Sequence, residues 1–368
     1  MKILDRYILR GLLVNYGIAM AVMISLYVLL DLFFNMDEFT ESGAGAADLA
    51  ADVASFYGYR IFLYFSQLSG IIALFACLVT LARMRRLNEL VAVLSSGVSL
   101  YRVAAPVVAF AIVTTGLWFV DVEYAIPRIA NKLARAHDDA RGTRTFDVYF
   151  LEDRDLALVS ARQYVPTEQV LKRLLVLKRA ADGSFASFIE AERATWEPAA
   201  DGAPGRWKLE RGMQRKREVT ASEGLAPRGD IAADLVPYYE SDLDPKSIEM
   251  RQAATWIKYL NTRQLNELAG RSEGQSLQQI KQARSMRVAT PLVNLVMLLL
   301  GLPFILDRRS GNLLVDGGKA LAVCGACFLL TFVVQNMGAE GPLALLPAWA
   351  PVLIFAPVAA VLLDRMRT

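Results

Sequence analysis

Apolar residues in this chain gather into six long blocks, at roughly 11–34, 57–82, 104–122, 286–306, 320–337 and 343–363. A helix needs about 20 mostly apolar residues to cross a bilayer's hydrocarbon, so the pattern predicts six spanning helices. Between the third and fourth blocks the texture changes. LKRLLVLKR (171–179), SFASFIEAERATWEP (184–198) and GRWKLERGMQRKREV (205–219) are short apolar or alternating runs separated by clusters such as ADG and PAADGAPG. Alternation with Gly, Pro and Asp punctuation predicts strands, and spacing of this kind an antiparallel sandwich or jelly roll. SIEMRQAATWIKYLNTRQLNELAGR then shows helical periodicity and leads back to the apolar blocks. The expected organisation is three spans in 1–122, a β domain in 123–285 and three spans in 286–368.

One short polar interval breaks the apolar pattern. NELVAVLSSGVSLYRV (88–103) lies between the second and third blocks, flanked by ARMRRL and YRV. Asn88 is a good N-cap, Glu89 would complement the dipole in the first turn, and SSG at 95–97 would end the helix. Leu90, Val91, Val93 and Leu94 give about two turns with an apolar face. Such a helix, at about 86–97, suits docking into a partner's groove, and equally suits lying on lipid. On periodicity the two readings stand level.

Charge orients the spans. Lys2, Arg6 and Arg10 precede the first; Arg83, Arg85, Arg86 and Arg102 flank the short helix; Arg308, Arg309 and Lys319 follow the fourth; Arg365 and Arg367 follow the sixth. The alternate loops are acidic, with Asp37, Glu38, Glu41, Asp48 and Asp52 in 35–56 and Glu340 in 338–342. The positive-inside rule therefore puts both termini and the short helix in the cytoplasm and 123–285 on the other side. The basic start and AGA at 44–46 resemble a signal peptide, but the first apolar core is long and five more follow, which predicts a retained helix.

Composition narrows the class. Of 368 residues, 54% are hydrophobic, yet 21% are charged, which fits a membrane part joined to a soluble part. A net charge of +3 gives no reason to expect nucleic acid. Cys77, Cys324 and Cys327 all lie in apolar blocks, so no disulfide framework holds the soluble part, and CGAC reads as small residues on one helix face rather than a redox pair. Pro291, Pro303, Pro347, Pro351 and Pro357 interrupt the fourth and sixth spans, as mobile points or as ordinary kinks. Asp31 and Arg60 are the chief ionisable residues in the spans, with no acidic or histidine relay for ion coupling.

Catalytic motifs are missing. There is no GxxxxGK[ST] or HExxH, and DGGKAL (316–321) lacks the first glycine and the hydroxyl of a phosphate loop. The single His137, in ARAHDDARG, forms no zinc site without cysteines nearby and is expected to face solvent. The reading is a non-catalytic chain with no cofactor and no metal.

ELVAVLSSGVS (89–99) resembles the coupling helix of the lipopolysaccharide-export permease family LptF/LptG (YjgP/YjgQ). The resemblance extends to LDRYILR, DLFFNMDEF, WKLERG (207–212), RVATPLVNLVMLLLGLPF (287–304) and LPAWAPVLIF (346–355), and so along the whole chain. The LDRYILR start leans toward the LptG-like branch. The resemblance implies an α-helical membrane protein with six transmembrane helices and an all-β, jelly-roll-like periplasmic domain, in the bacterial inner membrane. Implied partners are a paralogous six-span chain, a cytoplasmic ABC ATPase dimer, periplasmic jelly-roll bridge proteins and lipopolysaccharide. Glu89 would meet a basic residue of the ATPase while Leu90, Val93 and Leu94 fill its groove, with Ser96 and Gly97 completing the motif. Substrate would enter between the first and fifth spans, and Phe33, Phe62, Phe65, Val333 and Asn336 are expected on the cavity wall. This chain departs from some relatives in having Asn35, Met36, Asp37 and Glu38, not lysines, beyond the first span. The alternative is a non-transporting scaffold that assembles a periplasmic complex through its β domain.

Overall fold

Ile3–Phe34 forms one unbroken helix, α1, in the computed structural model of the chain, which describes residues 3–40, 46–135, 139, 142–179, 185–198, 205–216, 233–253, 255–270, 274–306, 313–336 and 346–364. A short α2 (Met36–Thr40) and the long α3 (Ala46–Arg86) follow, then α4 (Glu89–Ser95) and α5 (Leu100–Val120). After α6 (Ile126–Arg128) and α7 (Ala130–Leu133) come the strands β1–β8, then α8 (Pro245–Arg251) and α9 (Thr262–Ala269). The chain closes with α10 (Gly274–Leu306), α11 (Leu313–Asn336) and α12 (Leu346–Asp364). Two compact units divide it: Met1–Met36, Tyr57–Arg128 and Ile257–Thr368 in one, Asp37–Phe56 and Ile129–Trp256 in the other.

Among the described residues of the helical unit, five helices are long and apolar enough to cross a membrane: α1, α3, α5 with its continuation to Arg128, α10 and α11. The sixth expected span corresponds to the shorter apolar α12. The helices outrun the apolar blocks because polar and basic residues at their ends are also good helix formers. α1 buries only Ile8, Leu12 and Tyr16, spaced four apart on one face. Tyr16 meets Phe110 of α5 edge to face, and Asn15 donates to Thr80 of α3 at 2.8 Å. Without a hydrophobic drive between lipid-immersed helices, such close packing and hydrogen bonds hold them together. Cys77, Cys324 and Cys327 belong to this packed interior, each 1% exposed or less.

α5 leaves the bundle through a single π turn, Asp121–Ala125, where Ile126 N–H bonds back to Asp121 O. Pro127 follows and explains the slip, because its ring clashes with the carbonyl four residues earlier. The turn presents Glu123, whose carboxylate accepts from Thr262 N–H and Oγ1 and from Arg287 Nη1 at 3.1 Å. Arg287 also donates to the carbonyls of Val122 and Leu260. The exit from α5 is thereby tied to α9 and to the first half of α10.

The second unit is built on an antiparallel sheet of eight strands among the described residues: β1 (Phe146–Glu152), β2 (Leu158–Val165), β3 (Val170–Arg179), β4 (Phe185–Glu197), β5 (Arg206–Glu210), β6 (Met213–Lys216), β7 (Ala233–Leu235) and β8 (Tyr238–Glu240). The order is β1-β2-β3-β4-β5-β8, with β6 on the same edge of β4 as β5 and β7 beside β6. The 205–219 run becomes two strands because Arg211 takes φ 54° and Gly212 follows. Arg173, at φ 51°, resets the alternation in β3 so that Leu171 and Leu174 both face the core. The predicted helical run after the strands is broken into α8, a 3₁₀ turn and α9, with Asp244 and Asn261 capping the two α-helices. β1 and β2 have no counterpart among the expected runs. His137 lies outside the described residues.

Candidate functional site

Two left-handed residues set the ends of α4. Asn88, at φ 58°, turns the chain out of α3, its N–H bonded to Arg85 O and its carbonyl accepting Ala92 N–H at 3.0 Å. The expected side-chain cap is replaced by this backbone turn, since no side-chain cap bond forms and asparagine tolerates the left-handed region. At the other end Gly97, at φ 83°, donates to Leu94 O, while Ser95 and Ser96 hydroxyls take the carbonyls of Ala92 and Val93. The helix is short, and backbone turns at Asn88 and Gly97 define its two ends.

The faces divide cleanly. Leu90 is 3% exposed, inside the core cluster that includes Ile8 and Leu12, and Val93 and Leu94 pack against that cluster. Leu90 is therefore turned inward rather than toward a partner's groove, a correction that periodicity could not supply because it does not say which face meets the bundle. Leu87, Val91, Ala92, Ser95, Ser96 and Gly97 are exposed, as are Arg83 and Arg86 in the last turn of α3. The outward residues are thus small or apolar in α4, with exposed bases just before it in the chain.

Glu89 is held by the first helix. The Tyr7 hydroxyl lies 3.0 and 2.9 Å from its two carboxylate oxygens, sharing one proton between them. Two ion pairs flank this contact. Arg102 Nη2 meets Asp5 at 2.9 Å, and Arg85 Nη1 meets Asp316 of α11 at 3.0 Å, with both side chains of the second pair mostly buried. Removing one partner of such a sheltered pair costs about 3–5 kcal/mol, largely for the charge left behind. Sequence reasoning missed Tyr7, Asp5 and Asp316 as partners of this loop. Their signal is acid among bases: Asp5 and Asp316 stand in segments otherwise notable for Lys and Arg.

A second polar cluster joins α1 to α3 at the opposite end of α1. Asp31 accepts from Tyr57 at 2.8 Å and Tyr64 at 3.1 Å, and Asn35 donates to its backbone carbonyl. Arg60 lies beside Tyr64 and Asp31. Of the expected cavity residues, Phe33, Phe62 and Val333 are exposed, at 75%, 42% and 52%. Phe65 is 8% exposed and packs in the bundle core, so it forms no open wall. It shares the inward face of α3 with Ile72 and Ala76, a choice of face that depth along the helix leaves undecided. The side chain of Asn336 lies outside the described residues.

Long apolar helices, an antiparallel sheet domain between the third and fourth of them, and a short exposed helix pinned to the bundle define a polytopic integral membrane protein. Residues 6–365 match the family described as lipopolysaccharide export system permease LptF/LptG, and the chain belongs to that family. Comparison with curated proteins gives no match. Membership makes this the membrane subunit of an ABC-type lipopolysaccharide export system, an inner-membrane protein that works with ABC partners. Permeases of this family are generally non-catalytic.

Proposed function

We propose that this chain is one of two six-span permease subunits that lift lipopolysaccharide out of the inner membrane, with α4 as the helix by which a cytoplasmic ATPase dimer drives it. The observation that carries the reading is α4 itself: an exposed apolar patch around Leu87, Val91 and Ala92, presented on a firmly hydrogen-bonded helix at the basic end of the bundle. A rigid ridge of this kind suits a groove on a partner subunit better than a fluid lipid surface. The positive charge at this end supports a cytoplasmic location for α4 and both termini, and a periplasmic one for the sheet domain. α12 serves as the sixth span.

In this reading Glu89, Val93, Leu94, Ser96 and Gly97 shape the helix and Val91 and Ala92 meet the ATPase. Phe33, Phe62 and Val333, with Asn336, line the lipid path, whose wall includes the exposed faces of α1 and α11. The sheet domain passes substrate to periplasmic bridge proteins along the outer edge of β1, which among the described residues pairs only with β2. Phosphate groups are met by the partner chain or through divalent cations, since Asp37 and the neighbouring acids repel them.

Purification of tagged protein from native membranes tests this. The wild-type chain is expected to bring an ATP-binding subunit and a second permease chain. Val91→Glu, which buries a charge at the contact, is expected to lose the ATPase and keep the second permease. If the wild-type chain emerges alone, the transport reading fails and the scaffold reading takes its place.

A further inference from the structure

The helices of the bundle are not equally anchored. Of the most apolar stretch in each span, 56% is buried within the chain in α3 and in α10 and 39% in α5, but only 22% in α11 and 0% in α1. α1 is seated by Ile8, Leu12 and Tyr16 near one end and by the Asp31 hydrogen bonds to Tyr57 and Tyr64 at the other, while Ile18, Val22, Leu26, Leu29 and Phe33 are all exposed. Of these five helices α3 and α10 are the most enclosed by the chain itself, and α1 and α11 the least.

The side-chain ties around α4 run to those two helices. Tyr7 and Asp5, on the first turns of α1, hold Glu89 in α4 and Arg102 just after it. Asp316, in the first turn of α11, holds Arg85 just before α4. Arg85 also reaches the carbonyl of Ile305 at the end of α10, though at 3.5 Å. α4 is covalently continuous only with α3 and α5. A displacement of α4 passes to α1 and α11 through these contacts and the packing of Leu90. All three ties fall within one turn or so of the α4 hairpin, so they join it to the two least enclosed of these helices at once.

We propose that Tyr7, Asp5 and Asp316 are positioning residues that link the coupling helix to α1 and α11, so that movement of α4 is delivered to these two helices. The inference rests on the reading of α4 as the ATPase contact. Charge attracts across the two ion pairs whichever residue carries which sign, so the linkage survives exchange of the partners and fails when one is reversed alone.

The test uses the whole complex of ATPase and both permeases in proteoliposomes, with fluorescent lipopolysaccharide as probe, recording lipid released per ATP hydrolysed. Asp316→Arg and Asp5→Arg are each expected to lower that ratio at least about fivefold, the lower end of ordinary coupling between sites. The ATPase remains bound and active in both. The exchanges Asp316→Arg with Arg85→Asp, and Asp5→Arg with Arg102→Asp, are expected to restore most of the ratio. Tyr7→Phe, which removes one hydroxyl and little volume, is expected to lower the ratio without changing complex recovery. An unchanged ratio in the single variants overturns the proposal. So does failure of both exchanges to rescue, or loss of the complex itself in the single variants, since either marks a merely structural role. Absence of any ATPase from the wild-type preparation instead defeats the functional reading on which the inference stands, and is seen before any variant is made.

Discussion

At the scale of single residues, the motif WKLERG shows how much a sequence encodes when each position has one task. Trp207 is 1% exposed, its Nε1 donates to Leu243 O at 3.0 Å, and its ring packs 5.0 Å from Trp196. Leu209 also faces the core while Lys208 and Glu210 face out, as alternation requires. Gly212 is needed because a Cβ there would sit 2.2 Å from the Val236 carbonyl, a backbone atom with nowhere to go. Glu249 is the opposite case, a residue whose role no pattern reveals. Burial raises its pKa above the ordinary 4.5, against the opposing effects of Asn131, Arg135 and the Tyr164 hydroxyl. The folded state therefore favours the neutral acid. The stability this group contributes is full below 4.5 and is lost as pH rises through the raised value. Thermal unfolding of wild type and Glu249→Gln across that range should show the wild type losing ground as pH rises. A difference that stays flat would mean the opposing partners cancel the burial.

At the scale of elements, the legible features were those written in long periods or strong punctuation. The helices at the apolar blocks, the strands β3 and β4 and the ending of α4 at SSG were all readable. β1 was not, because Tyr149 and Phe150 form a bulge, with Phe150 at φ 45°, that erases simple alternation on an edge strand. β2 was missed because Ser160, Arg162 and Gln163 dilute its apolar positions. The inward turn of Leu90 was also illegible, since a helix with apolar residues at 90, 91, 93 and 94 can bury either side. What fixes α4 is its pair of left-handed ends, which gives a direct expectation. Gly97→Val forces a branched side chain into a conformation that costs a non-glycine residue about 1–2 kcal/mol, and should loosen the hairpin and weaken ATPase co-purification. Gly97→Asn should keep it, because open space surrounds the position and asparagine accepts the backbone. Equal loss in both variants would point to a side-chain clash with the partner instead.

At the scale of the molecule, the family and its membrane part were legible across the chain, whereas the pairing of charges between distant segments was not. The proposed orientation rests on counting Lys and Arg, and that same count hides the few acids that hold the bases in place. The exposed apolar sides of α1 and α11 then carry the expectation for the lipid path. In the assembled complex, Phe33→Cys and Val333→Cys should react with a membrane-permeant maleimide, and added lipopolysaccharide should slow that reaction. Phe65→Cys should stay unreactive with and without lipid; rapid labelling there, or no protection at Phe33 and Val333, would move the path elsewhere. The packing of the natural thiols bears on how such work is done. Cys77, Cys324 and Cys327 are each closed off inside the helical unit at 1% exposure or less. The native chain is therefore its own silent background for reporter chemistry, and probes can be placed one at a time without first stripping three side chains from the packed interior.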